Sequence, residues 1–164
     1  MDGPIIHVLK GGLAGLAATV PMTMAMAAMH KLLPDHEQYP LPPRLITENA
    51  LEKADTDDAL PEEHENGLAL VNHFAYGAAT GATYALGLYA ARKQAASSSG
   101  VAFGLGVWAA SYQAMLPMAG LFPPPEAEPA RRNALMITSH IVWGAALGLA
   151  LQAADGKGEY QNGK

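Results

Sequence analysis

His73-Phe-Ala-Tyr-Gly77-Ala-Ala-Thr-Gly81 and His140-Ile-Val-Trp-Gly144-Ala-Ala-Leu-Gly148 are two copies of one pattern, H-x-x-[aromatic]-G-A-A-x-G. On a helix, positions i, i+4 and i+8 fall nearly on one line. Each copy therefore places a histidine one turn above two glycines on a single face. Such a face lets another backbone come very close, with a polar ring just beyond the contact. The pattern predicts helices, a duplication, and the position of any chemistry.

The surroundings of the two copies set the environment. None of the 10 Lys and Arg or 15 Asp and Glu residues falls in four windows, Gly11 to His30, Asn66 to Ala91, Gln94 to Pro125 and Asn133 to Ala154. Each window is about the 20 residues needed to cross a hydrocarbon core of roughly 30 Å. A soluble four-helix bundle needs charged outer faces, and these windows have none. They are rich in Gly and Ala, the residues helices use to pack in lipid, where no hydrophobic effect draws them together. The reading is an all-α integral membrane four-helix bundle, one domain over residues 1–164, with spans at about 8–31, 67–91, 98–120 and 133–154. A cleaved signal peptide ending near Ala25-Met26-Ala27 is the competing reading of the first span. The long region before Lys10, which contains Asp2, argues against it. Cysteine is absent, which excludes disulfides and thiol chemistry. The net charge of −5 gives no reason to expect nucleic acid as a partner.

The duplication extends to the other two spans. Span 1 opens with Gly11-x-x-x-Gly15 and span 3 with Gly100-x-x-x-Gly104, while spans 2 and 4 carry Gly77, Gly81, Gly144 and Gly148. The chain reads as two helical hairpins, 1–2 and 3–4, that run the same way through the membrane as parallel repeats. The 1–2 connection, 33–65, holds Pro40-Leu-Pro-Pro-Arg44, a short helix over 45–51 with Thr47 near its start, and an acidic run from Asp55 to Glu65. The 3–4 connection holds Phe122-Pro-Pro-Pro125 and Arg131-Arg132. Lys and Arg divide evenly between the two sides, so the positive-inside rule does not decide orientation. The acidic loop sits more naturally outside, which puts both termini in the cytoplasm of a bacterial inner membrane.

Four strings occur in one order: Pro40-Leu-Pro-Pro-Arg44, the His73 helix, Leu116-Pro-Met-Ala-Gly-Leu-Phe-Pro-Pro124, and Ser139-His-Ile-Val-Trp143. Together they resemble the YagU-like family of bacterial inner-membrane proteins over most of the chain. The resemblance implies four spans, cytoplasmic termini and, in some members, a link to acid tolerance, with no settled biochemical activity. The acidic 1–2 loop and the Gly/Ala-rich fourth span depart from that pattern.

Ionisable residues within a membrane are costly and usually face the interior with a partner. His73 and His140 therefore have several readings. They are neutral imidazoles bonded to Asn72, Ser139, Tyr112, Gln113 or a carbonyl, or cofactor ligands for haem b or another metal, or a pH-sensitive pair. Met22, Met26, Met29 and His30 share a face of span 1, a donor set suited to Cu(I) and equally to core packing. Met115 and Met118 on span 3 would add to a copper site if they faced the same cavity. Pro21 and Pro117 are expected to kink their spans. Arg44 is expected to pair with Glu48 or Glu52, or to meet a lipid phosphate. A small transporter would need a polar cavity, hinted at by Thr80, Thr83, Tyr112 and Gln113. No nucleophile–base arrangement or phosphate-binding loop stands out. The expectation is a non-enzymatic protein of the lipid bilayer, a homo-oligomer or a subunit of a larger membrane complex, with an accessory, envelope or acid-stress role.

Overall fold

A computed structural model describes residues 3–55 and 61–162. The middle of the acidic run, 56–60, lies outside the described residues. All regular structure among the described residues is helical. The long helices are α1 (Pro4–His30), α3 (Glu62–Ala91) and α6 (Ala130–Asn162), with shorter α2 (Pro42–Lys53), α4 (Ser97–Ala109) and α5 (Leu116–Ala119). Between α4 and α5, Ala110–Met115 forms a π-helical turn, so that 97–119 is one continuous helical rod.

Local chemistry sets these boundaries. Pro4 and Pro42 stand in the first turns of α1 and α2, where their missing N–H groups are not needed. Glu62, Glu63 and Glu65 fill the first turn of α3 and complement its positive end. The short helix of the 1–2 connection starts three residues earlier than the sequence suggested, at Pro42. Thr47 accordingly lies mid-helix and donates to the Pro43 carbonyl at 2.9 Å. Gly120, with φ +61°, closes α5. Leu121 N–H donates to Leu116 O and Gly120 N–H to Pro117 O, the paired bonds of a Schellman ending.

The two span prolines behave differently. Helix α1 continues through Pro21. Pro117 instead follows the π turn, in which Leu116 N–H reaches Ser111 O. A proline at 117 has no N–H for the Gln113 carbonyl and its ring crowds that oxygen. A wider turn just upstream relieves both problems.

Among the described residues, two helices are long and apolar enough to cross a membrane, α1 and the Ala130–Asp155 part of α6. The sequence reading expected four. Helix α3 carries Asn66, Asn72, His73, Thr80 and Thr83 among its small residues, and in the third rod the α-helical stretches on either side of the π turn are short.

The faces of α1 are arranged inside out. Its buried face is Gly11, Ala14, Gly15, Ala18, Thr19, Met22 and Met26. Its outer face carries Ile5, Leu9, Leu13, Leu16, Val20 and Met24, which are 44–73 % exposed. The closely packed pairs are α1 with α3, α4 with α6, α1 with α6, and α2 with α3. Trp143, Leu147 and Leu151 of α6 form the centre of the core, with Tyr84 of α3 and the methionines of α1 around them.

Candidate functional site

Small residues bring the helices of each pair together. In the first pair, a methyl group on Gly15 would strike the Gly77 carbonyl, one on Gly81 the Gly11 carbonyl, one on Gly77 the Thr19 hydroxyl, and one on Gly11 would meet Ala85 and Gly81. In the second pair, Gly100 and Gly144 stand against each other's carbonyls, Gly104 against the His140 carbonyl, and Gly148 against the Ala96 carbonyl. Gly12, Gly87 and Gly106 have no such crowding.

The aromatic residue of each motif then reaches the opposite pair. Trp143 Nε1–H on α6 points to the Gly15 carbonyl of α1 at 3.3 Å. Tyr76 of α3 shares a hydrogen bond of 2.8 Å with Ser111 of the π turn. The backbones at these two seams are not alike. Helices α1 and α6 pack closely. Helices α3 and α4 are instead joined through side chains, Tyr84 to Ser99 at 2.6 Å and Tyr84 to Phe103 with ring centres 4.9 Å apart. Below those rings the α3 seam opens into a cavity of about 260 Å³.

This cavity collects several of the residues picked out from sequence. His73, Tyr76, Gly77 and Thr80 of α3 line it, with Met22 of α1 and with His140 and Trp143 of α6. The third rod contributes Val107, Ser111, Tyr112, Met115 and Leu116, and Met136 of α6 also borders it. Helix α2 covers one end with Pro43, Ile46, Thr47 and Ala50. Met26, Met29, His30, Thr83, Gln113 and Met118 are not on its walls. Met26 is buried in the core, Met118 is 87 % exposed, and His30 Nε2–H donates to the Tyr39 carbonyl at 3.0 Å.

The two motif histidines differ within this shared space. His140 is buried, and its Nδ1–H donates to the Met136 carbonyl at 2.8 Å. A carbonyl only accepts, so this bond fixes the tautomer and leaves Nε2 with a lone pair. His73 Nε2 is buried and has no hydrogen-bond partner among the described residues. A buried polar atom without a partner is rare in native proteins and commonly marks a missing water, ion or ligand.

Size limits what the cavity can hold. Its volume of about 260 Å³ lies just below the roughly 300–1,000 Å³ of pockets for drug-sized ligands. A single metal ion needs its donors about 2.0–2.3 Å away. Among the described residues, no three His, Cys, Asp or Glu side chains gather in a metal-binding group.

A second polar cluster lies in the loops, and the sequence reading missed its centre. Arg132 is 3 % exposed. Its guanidinium donates to the carbonyls of Glu37, Tyr39 and Pro40 at 2.8–2.9 Å and to Glu128 at 3.2 Å. It also stacks 3.6 Å over the Tyr39 ring, whose hydroxyl donates to Glu128 at 2.9 Å. Burial first, and then the bond to Glu128, raise the Tyr39 phenol above its ordinary pKa. The sequence signal was a pair of arginines after a proline-rich stretch. The local difference is Glu128, four residues before Arg132, where Arg131 has Ala127; Arg131 is 66 % exposed. Arg44 pairs with Glu48 and, at 3.1 Å, with Glu62; the bond to Glu48 leads the causes that hold its guanidinium pKa above the usual value.

A family model described as "Protein of unknown function (DUF1440)" matches residues 42–149, roughly two-thirds of the chain. The chain belongs to that family. The match takes in α2, both histidines, the π turn and Arg132, and thus nearly all of the cavity outside α1. No curated protein and no solved structure matches the chain.

Proposed function

We propose that this DUF1440 member is a multi-pass protein of the bacterial inner membrane, four spans in two parallel hairpins, with both termini in the cytoplasm. Its role is that of a non-catalytic binding or accessory protein. The observation that carries the reading is the inverted face pattern of α1. From Ile5 to Met24 a continuous outer stripe of large apolar side chains runs about 28 Å at 1.5 Å per residue, near the thickness of a hydrocarbon core. The face turned inward is small from Gly11 to Thr19, and only then carries Met22 and Met26. A soluble helix buries the large residues and exposes polar ones. Here the solvent that suits the outside is lipid.

The binding role follows from the cavity. Its polar groups are imidazoles, hydroxyls and one amide, and no described charged side chain lines it. That composition suits recognition of a neutral molecule better than acid–base or phosphoryl chemistry.

The native chain has no cysteine, which makes the topology test clean. Single cysteines at His36, in the 1–2 connection, and at Lys93, in the 2–3 connection, are to be probed in intact cells with an impermeant maleimide. Labelling of His36→Cys in intact cells, and of Lys93→Cys only after lysis, is the expected result. Release of the protein from membranes by alkaline carbonate, or the reverse labelling pattern, would overturn the reading.

A further inference from the structure

We propose that the cavity between α3 and the third rod binds the ring of a lipid-soluble quinol or its quinone. Four observations narrow the ligand to that class. The first is charge: none of the described lining residues is Asp, Glu, Lys or Arg, so a phosphate, a carboxylate or a cation has no counter-ion there. The second is size. A volume of about 260 Å³ admits a substituted six-membered ring.

The third is the polarity of opposite walls. On α6, the Nδ1–H of His140 is occupied by Met136, so Nε2 can only accept a hydrogen bond. On α3, Tyr76 shares its hydroxyl bond with Ser111, and the pair has one proton left to donate. His73 Nε2 is buried and out of reach of the cavity space. A ring with one hydroxyl donating to His140 and a second oxygen accepting from the Tyr76–Ser111 pair satisfies both walls. The quinone form keeps the acceptor contact at that pair.

The fourth is access. Tyr76 and Met115, on the two sides of the open seam, are 43 % and 51 % exposed, whereas Met22, His140 and Trp143 on the far side are buried. A tail attached to the ring leaves between Tyr76 and Met115 toward the surroundings of the helices. That this exit meets lipid rests on the membrane reading, which the extraction and labelling experiment decides separately.

The test uses the full chain in detergent with Trp108→Phe, which leaves Trp143 as the reporter on the cavity wall. The probes are a decyl-substituted benzoquinone, its quinol, and decylbenzene, which has the tail and ring but no oxygens. Saturable quenching of Trp143 by the quinone, displaced by the quinol and not by decylbenzene, is expected. The double variant Tyr76→Phe/Ser111→Ala should weaken binding roughly tenfold, the loss of one hydrogen bond to the ring. Ala50→Phe, at an exposed position on the covering helix, should fill the cavity and remove saturable binding even if the double variant misfolds. Linear, non-saturable quenching by the quinone that the quinol does not relieve, or binding unchanged by Ala50→Phe, would overturn the proposal.

Discussion

The two seams that join the halves of this molecule use the same motif and come out differently. At the α1–α6 seam, Trp143 reaches the Gly15 backbone and the helices pack closely, because α1 offers Ala14, Gly15 and Ala18. At the α3–α4 seam the corresponding aromatic, Tyr76, reaches only a side-chain hydroxyl, and the rings of Tyr84 and Phe103 stand between the helices. The glycines of the motif bring helices together within each pair. Residues outside it decide whether the second contact closes. The open seam leaves room for a cavity and one unsatisfied histidine; the closed one leaves neither.

The loop ends of the two seams repeat the contrast and offer the strongest way to break it. The closed seam is clasped by buried Arg132, which holds the segment that follows α1. The open seam is clasped from α2 by Asn49 Nδ2–H to Leu121 O at 2.8 Å and by Lys53 to Ala119 O at 2.6 Å, the latter exposed. Removing one partner of a buried ion pair costs about 3–5 kcal/mol, because the other is left uncompensated. Arg132→Met should therefore destabilise strongly, while Lys53→Ala should change stability by less than about 1 kcal/mol. Unfolding midpoints in detergent measure both. Equal midpoints for the two variants would remove the distinction between the clasps.

The glycine crossings test whether the pairs themselves are equivalent. Gly15→Ala and Gly144→Ala each force a methyl into a facing backbone, and overpacking of this kind costs about 1–3 kcal/mol. Gly12→Ala and Gly106→Ala face open space or ordinary contact, and on a helix they should be neutral or slightly stabilising. A Gly15→Ala protein as stable as Gly12→Ala would show that α1 and α3 separate without loss.

The cross-seam aromatics are the next step down. Trp143→Phe removes the donor to Gly15 and Tyr76→Phe the donor or acceptor at Ser111. Each should cost about 0.5–1.5 kcal/mol as a single hydrogen bond. The cost should be greater for Trp143, which is 2 % exposed, than for Tyr76 at the mouth. The reverse order would mean that the open seam carries more of the stability than its packing indicates.

What could be read in advance follows from the range of each interaction. Charge-free windows and the i, i+4 spacing of His73, Gly77 and Gly81 are local, so the helices and their small-residue faces were legible. The cavity was not, because its walls come from five helices and its existence depends on Tyr84 and Phe103 keeping a seam apart. The π turn was half legible, in that Pro117 announced a disturbance without its form. The choice of Arg132 over Arg131 was half legible: Glu128 stands four residues before Arg132, but the carbonyls of Glu37, Tyr39 and Pro40 that bury it lie more than 90 residues away in sequence. The start of α2 at Pro42 is legible from helix-capping chemistry, since proline favours the first turn, although the apolar residues begin only at Leu45.

The smallest effect gives the finest reading of the clasp. The Tyr39 phenol is raised by burial and by its bond to Glu128, and lowered in part by Arg132 above its ring. A raised phenol lends stability that is complete below the ordinary value near 10 and is lost as pH rises through the folded-state value. Phenolate absorbance, compared with a Tyr39→Phe protein, should therefore show one tyrosine ionising late, with the fold loosening only above that point. In Arg132→Met the direction of change is diagnostic. If the loop stays in place, the one influence that favours phenolate has gone, and Tyr39 should titrate still later. If the clasp opens, burial and the Glu128 bond are lost together, and the residue should return toward 10. Because Arg132 is the group that joins the segment after α1 to the start of α6, the second outcome is expected. A later titration in that variant would mean that Glu128 and Tyr39 hold the closed seam without it.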